Sequence, residues 1–201
     1  MNTRKELKFY MMADRMMNRG HFNRDLKCVL KEFFAPDYIM QYLTAMRKMD
    51  YYSKKSGIYS KLLSFLNHLH YMRLGCKLGF SISPGVFGYG LVIPHYGTIV
   101  VGSGNSIGNY CVLHTSTCIT AGAKKIGNSL YVSSGAKLLK SIELKDGVSI
   151  GANSVVNKSF NDAKILLVGL PATIKMCKNP WYTDDEKFKL RVEKCELLRK
   201  K

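Results

Sequence analysis

No stretch of this 201-residue chain approaches the roughly eighteen consecutive apolar residues that a membrane-spanning helix requires. The opening MNTRKELKFYMMADRMMNRG also lacks the apolar block and cleavage site of a secretory signal. A cytoplasmic location is therefore expected. Cysteine is present but without useful spacing: Cys28, Cys76, Cys111, Cys118, Cys177 and Cys195 form no CxxC pair or other metal-ligand pattern. They read as reduced, partly buried small hydrophobes, and no metal site or disulfide framework is expected. Acidic residues are scarce, 14 against 31 Lys and Arg, which leaves a formal net charge of +17. The surplus is spread: residues 1–78 carry 15 basic and 6 acidic side chains, residues 79–175 carry 8 and 3, and the remainder 8 and 5. No helix-turn-helix, RNP or zinc-finger pattern accompanies it, so nucleic acid is not an expected partner. An anionic small molecule, an acidic glycan or an anionic membrane face suits such a surface, as does plain solubility.

What the chain does have is a period of six. Val101, Ile107, Leu113 and Ile119, then after one extra residue Ile126, Val132, Leu138, Leu144, Ile150 and Val156, are all branched aliphatics. Four places beyond most of them stands a second small or apolar residue, such as Cys111, Leu130, Ala136, Ile142 or Val148. Helices repeat at 3.6 and strands at 2, so a sustained six fits a parallel β-helix of hexapeptides. Each coil cannot bury its own rung, whereas a stack of coils can. Gly108-Asn109, Gly127-Asn128, Asp146-Gly147 and Ala152-Asn153 fall between rungs and are expected at the corners.

Three regions follow: an α-helical front over residues 1–78, a mainly β solenoid over 79–175 and a basic helical tail over 176–201. Helices are expected over Arg4 to Met17, Asp25 to Phe34, Tyr38 to Tyr52 and Ile58 to Leu74, with Gly20 and Pro36 as breaks and Asp37 as an N-cap. In the fourth, Ile58, Leu62, Phe65, Leu66, Leu69 and Met72 share one face near Lys54, Lys55, Lys61 and Arg73. That stripe fits packing on the solenoid or a peripheral membrane contact, and its ordinary width favours packing. The tail reads as a charged helix capped near Thr183, with Phe188, Val192 and Cys195 on a narrow apolar face. From Gly79 a Gly- and Pro-rich stretch is expected to form a first, less regular coil. Counting six back from Val101 lands on His95, where later coils carry an aliphatic, and a repeat that breaks its own rule marks a candidate site.

The runs GLVIPHYGTIVVG and SGNSIGNYCVLHTSTCIT, the coils through IGANSVV and the closing VGLPATI resemble the serine acetyltransferase family of hexapeptide-repeat acyltransferases. More narrowly, they resemble the serine acetyltransferase-like proteins of bacterial surface polysaccharide synthesis, a branch that MRKMDYYSKK also fits. The resemblance covers residues 79–175 and implies a left-handed β-helix, a homotrimer and acetyl-CoA as donor. It makes His95 the catalytic general base, with an oxyanion donor from the turn at Gly97 or from a neighbouring subunit. His114, Tyr89 and Tyr96 are candidates for the acceptor side. The pantetheine arm is expected near Ala136 and Ala152, and the phosphates near Lys158 and Lys175.

The departures are specific. The family carries an aspartate directly before the histidine and another about fifteen residues upstream; here these positions are Pro94 and Phe80. Ser81, Ser83, Tyr89 or a backbone carbonyl is left to orient the imidazole. The family's Thr-Gly ahead of the aliphatic triplet is Gly97-Thr98, and its long acceptor loop shrinks to residues 120–125. The acceptor is therefore expected to be a sugar or surface-polysaccharide precursor ahead of L-serine, with serine acetyltransferase proper as the alternative and a non-catalytic binding module as the second.

Overall fold

The computed structural model describes residues 1–200, the side chain of Lys27 excepted. Four helices come first: α1 (Arg4–Arg19), α2 (Leu26–Phe34), α3 (Tyr38–Ser53) and α4 (Ile58–Leu78). Local signals set their ends. Thr3 and Glu6 form a reciprocal capping box on α1 and Gly20 closes it in the left-handed conformation, while Asp25 and Asp37 cap α2 and α3.

The solenoid follows, as three sheets around one apolar interior. The first stacks β1 (Phe80–Ile82), β2 (Ile99–Val101), β5 (Thr117–Ile119), β8 (Lys137–Leu138) and β11 (Val155–Val156) in parallel. The second holds β3 (Ser106–Ile107), β6 (Lys125–Ile126) and β9 (Glu143–Leu144). The third holds β4 (Val112–Leu113), β7 (Tyr131–Val132), β10 (Ser149–Ile150) and β12 (Ile165–Gly169), and ends on the antiparallel β13 (Ala172–Cys177). A coil visits each sheet once, so Val101 lies against Ile119, and Ile119 against Leu138. All ten period-six aliphatics are buried, and so is the second inward set, including Cys111, Leu130, Ala136 and Val148. The extra residue between Ile119 and Ile126 is absorbed at one corner.

At the four expected corner pairs the left-handed residues are Tyr110, Ser129, Gly147 and Asn153, so in two of the four the turn falls one place later. Asn109, Asn128 and Asp146 serve instead as a ladder. The N–H of Asn109 donates to Asn128 Oδ1 at 2.9 Å, and that of Asn128 to Asp146 Oδ1 at 2.7 Å. The preceding glycine is required because a Cβ on Gly127 would stand 2.2 Å from Asp146 Oδ1.

The helical front caps the open edge of the first coil, whose backbone groups have no strand above them. Asp14 and Arg47 form a buried ion pair at 2.8 Å. Arg47 donates onward to the carbonyls of Phe87 and Gly88, and the Leu91 N–H donates to Asp14 Oδ1 at 2.9 Å. Asn18 takes the N–H of Ile93 and gives its own amide to Leu91 O.

Two expectations change here. The face of α4 bearing Ile58, Leu62, Phe65, Leu66, Leu69 and Met72 does not pack on the solenoid but is exposed, and burial falls on Tyr71, Leu74, Gly75 and Leu78. The tail helix α5 (Glu186–Arg199) is capped by Asp185 rather than Thr183, and it docks through Val192 and Cys195 beside α1. Arg191 reaches Met17 O at 2.5 Å, and Glu196 accepts from the Tyr89 and Tyr110 hydroxyls at 2.8 and 2.6 Å.

Candidate active site

His95 lies on the corner between the third sheet and the first. Above it Val92 pairs with Val112, twenty residues on, whereas below it Ile99 pairs with Thr117, eighteen on. The corner holding His95 is thus two residues longer than the one stacked under it. The ring is exposed, and the true rung at that level is the buried Ile93. This corrects the six-residue count, which reaches His95 only because the first coil runs out of register.

Both flanks of the corner are pinned. Ahead of it the Ile93 N–H is held by Asn18 at 3.1 Å. Behind it the Gly97 N–H donates to Leu78 O at 2.9 Å and the Ile99 N–H to Gly79 O at 3.0 Å, so the end of α4 fixes the other side. Gly97 takes a φ of +133°, a conformation that side-chain-bearing residues rarely adopt, and a Cβ there would come to 3.1 Å from Thr115 Cγ2. Its N–H is spent on Leu78, so Gly97 does not supply the expected oxyanion donor.

His114 sits one coil below, half-buried, its ring 5.1 Å from that of Tyr131. Burial lowers its pKa, and the nearby charge of His95 lowers it further. The two imidazoles therefore share one electrostatic neighbourhood. Tyr96, beside His95, is three-quarters exposed. Tyr89 belongs elsewhere: it is buried under α5 with its hydroxyl committed to Glu196, so it neither faces the His95 corner nor orients its ring. Among the described residues no hydrogen bond reaches the His95 ring. Phe80 is buried edge-on against Tyr42, and no Asp or Glu occurs in sequence between Asp50 and Glu143.

On the donor side Ala136 is interior. Its N–H donates to Ser133 O and its carbonyl accepts from the Cys118 N–H, so both backbone groups already have a partner within the solenoid. Ala152 lies on an exposed corner, and Lys158 and Lys175 are exposed cations near the end of the solenoid. The short segment 120–124 is braced by the buried Lys124, whose ammonium donates to Thr120 O at 2.7 Å and Oγ1 at 3.0 Å, with burial pushing its pKa down. The cleft of about 370 Å³ between the front helices is lined by residues such as Lys8, Arg15, Glu32 and Lys48 and contains neither His95 nor His114. The helical clamp on the first coil had no sequence signal, because Asp14 and Asn18 reach partners more than seventy residues away.

Solved structures similar to this architecture include serine acetyltransferases. The soybean enzyme complexed with serine matches with a TM-score of 0.62 at 24% identity, over 85% of this chain and 70% of that one. A serine acetyltransferase in complex with CoA matches at 0.58 and 20% identity, over 85% and 68%. The chain has the serine acetyltransferase fold.

Sequence relatives agree in kind. A serine acetyltransferase of Buchnera aphidicola is 28% identical over 182 residues, 84% of this chain and 66% of the relative. That of Synechococcus elongatus is 29% identical over 131 residues, 61% and 50%, and that of Staphylococcus aureus 32% over 104 residues, 48% of each. The chain thus spans about half to two thirds of the length of these curated relatives. No family model matches it. The similarity sides with the serine alternative, and the polysaccharide branch expected from the motifs is not supported.

Proposed function

We propose that this chain is an acetyl-CoA-dependent O-acetyltransferase whose acceptor is the hydroxyl of L-serine, with His95 as general base. The observation that carries the reading is an exposed imidazole on a doubly pinned corner two residues longer than the one stacked under it. A hydroxyl is a weak nucleophile at neutral pH. Neutral imidazole takes its proton as the oxygen attacks the thioester carbonyl; the tetrahedral adduct then collapses, the C–S bond breaks, and the imidazolium returns the proton to the departing thiolate. Such assistance is worth roughly a hundred- to ten-thousand-fold. With Gly97 committed to Leu78, the oxyanion donor is another N–H of the turn, at Tyr96 or Thr98, or one from a neighbouring subunit. His114 lines the acceptor side with Tyr96, and Lys158 and Lys175 are the cations offered to the donor's phosphates. The working assembly is a homotrimer, in which a neighbouring subunit closes the pocket and supplies the group that orients the His95 ring.

A second reading keeps the chemistry and changes the acceptor to another hydroxyl compound. It is favoured by Phe80 and Pro94 in place of the two carboxylates and by the short, Lys124-braced segment 120–124. Thiol release from acetyl-CoA, measured with serine, monosaccharides and glycan oligomers as acceptors, separates the readings. Release with serine alone is expected; release with a sugar alone transfers the assignment to the second reading, and no release with any acceptor leaves a binding module. His95→Ala is expected to abolish release with the fold intact, and undiminished turnover in that variant removes His95 from its role.

A further inference from the structure

The apolar face of α4 is left uncovered by the described residues. Ile58, Leu62, Phe65, Leu69 and Met72 recur at steps of four and three, which places them on one side of the helix, and Ile58 is 88% and Phe65 57% exposed. Tyr59 and Leu66 widen the stripe. Helix α2 carries a second exposed apolar set, with Leu26, Leu30, Phe33 and Phe34 outward. Its one acidic residue, Glu32, is paired inward with Arg15 and Arg24.

The charges around the α4 stripe are of one sign. Helix α4 contains no Asp or Glu, and Lys61 and Arg73 are exposed on it without an acidic partner among the described residues. A second copy docked through this face would set cations against cations with no carboxylate on either helix to pair them. An anionic lipid surface offers what the face lacks: an apolar layer for the stripe, and phosphate groups at the depth where Lys and Arg stems extend. Phe65 and Tyr59 are side-chain types that lie well at such a boundary. No helix among the described residues is long and apolar enough to cross a membrane, so the contact is peripheral.

We propose that α4 docks the protein on an anionic membrane surface, with Leu62, Phe65 and Leu69 entering the acyl boundary and Lys61 and Arg73 meeting the headgroup phosphates. The inference is independent of the catalytic reading, because its test requires no turnover.

The test is co-sedimentation of the full chain with vesicles of phosphatidylcholine alone and of phosphatidylcholine with phosphatidylglycerol, at low and high salt. Binding to the anionic vesicles is expected, weakened by salt, with little binding to the neutral ones. Lys61→Glu/Arg73→Glu and, separately, Leu62→Ser/Phe65→Ser are each expected to lower the anionic partition about tenfold or more while circular dichroism is unchanged. Equal binding to both vesicle types, no binding to either, or full binding by both double variants overturns the proposal. So does light scattering in which Leu62→Ser/Phe65→Ser lowers the particle mass without lipid, since the face then joins copies of the chain.

Discussion

The backbone N–H of Ile93, two residues ahead of His95, donates to the Asn18 side chain on α1 at 3.1 Å. With Asp14 holding Leu91 and Arg47 holding Phe87 and Gly88, the front helices act on the candidate site by fixing the segment that enters its corner. Asn18→Ala leaves the Ile93 N–H without that acceptor and is expected to cost about 1 kcal/mol of stability. Asp14→Ala leaves the buried Arg47 guanidinium unpaired and is expected to cost about 3–5 kcal/mol. Urea midpoints check both values. Under the proposed function, Asn18→Ala also lowers kcat more than its stability loss explains, and a variant with unchanged kcat would falsify the clamp's link to the corner.

His114 couples the site to pH. Its pKa lies below the ordinary 6.5 because of burial and then the charge of His95, so the folded chain binds its proton less readily than the unfolded chain. The corresponding stability is fully present above pH 6.5 and is lost as pH falls from there through the lowered folded value. His114→Gln is expected to flatten that slope while leaving stability above the window nearly unchanged. Denaturation midpoints measured on either side of the window test this; equal slopes in the two proteins would count against it.

Glu196 ties α5 to the solenoid. Burial pushes its carboxyl up, but the Tyr110 and Tyr89 hydroxyls and the Arg199 guanidinium outweigh that and hold it below its ordinary 4.5. The stability it contributes is present above pH 4.5 and lost as pH falls through the lowered folded value. Glu196→Gln is expected to weaken docking of α5 by about 1 kcal/mol at neutral pH and to make the acid loss shallower. Amide exchange across residues 186–199 is the readout, and protection there equal to that of the parent protein at neutral pH rules out the tie.

The solenoid was legible because its code is local. Inward positions recur every six residues, and Val101 through Val156 show the pattern without reference to any distant residue. The start of α3 was legible for the same reason, since Asp37 caps through a bond spanning three residues; Thr3 and Asp25 cap α1 and α2 just as locally and were not read as caps. His95 was singled out by a register that does not hold in the first coil; the two-residue enlargement of its corner emerges only when Val92 and Ile99 are paired with the coil below. Tyr89 was misplaced because its partner, Glu196, lies 107 residues away. The stripe on α4 was read correctly as apolar and wrongly as packed, for periodicity tells which residues share a face and not what that face meets.

By itself the sequence determined a stack of hexapeptide coils behind a helical front, because each rung is specified by neighbours within one turn of the chain. Only the tertiary structure decided that His95 stands outside the stack, which corner residues retain free groups, and that α4 leaves its apolar side uncovered. Those outcomes depend on which distant segments meet, and no local pattern carries that information.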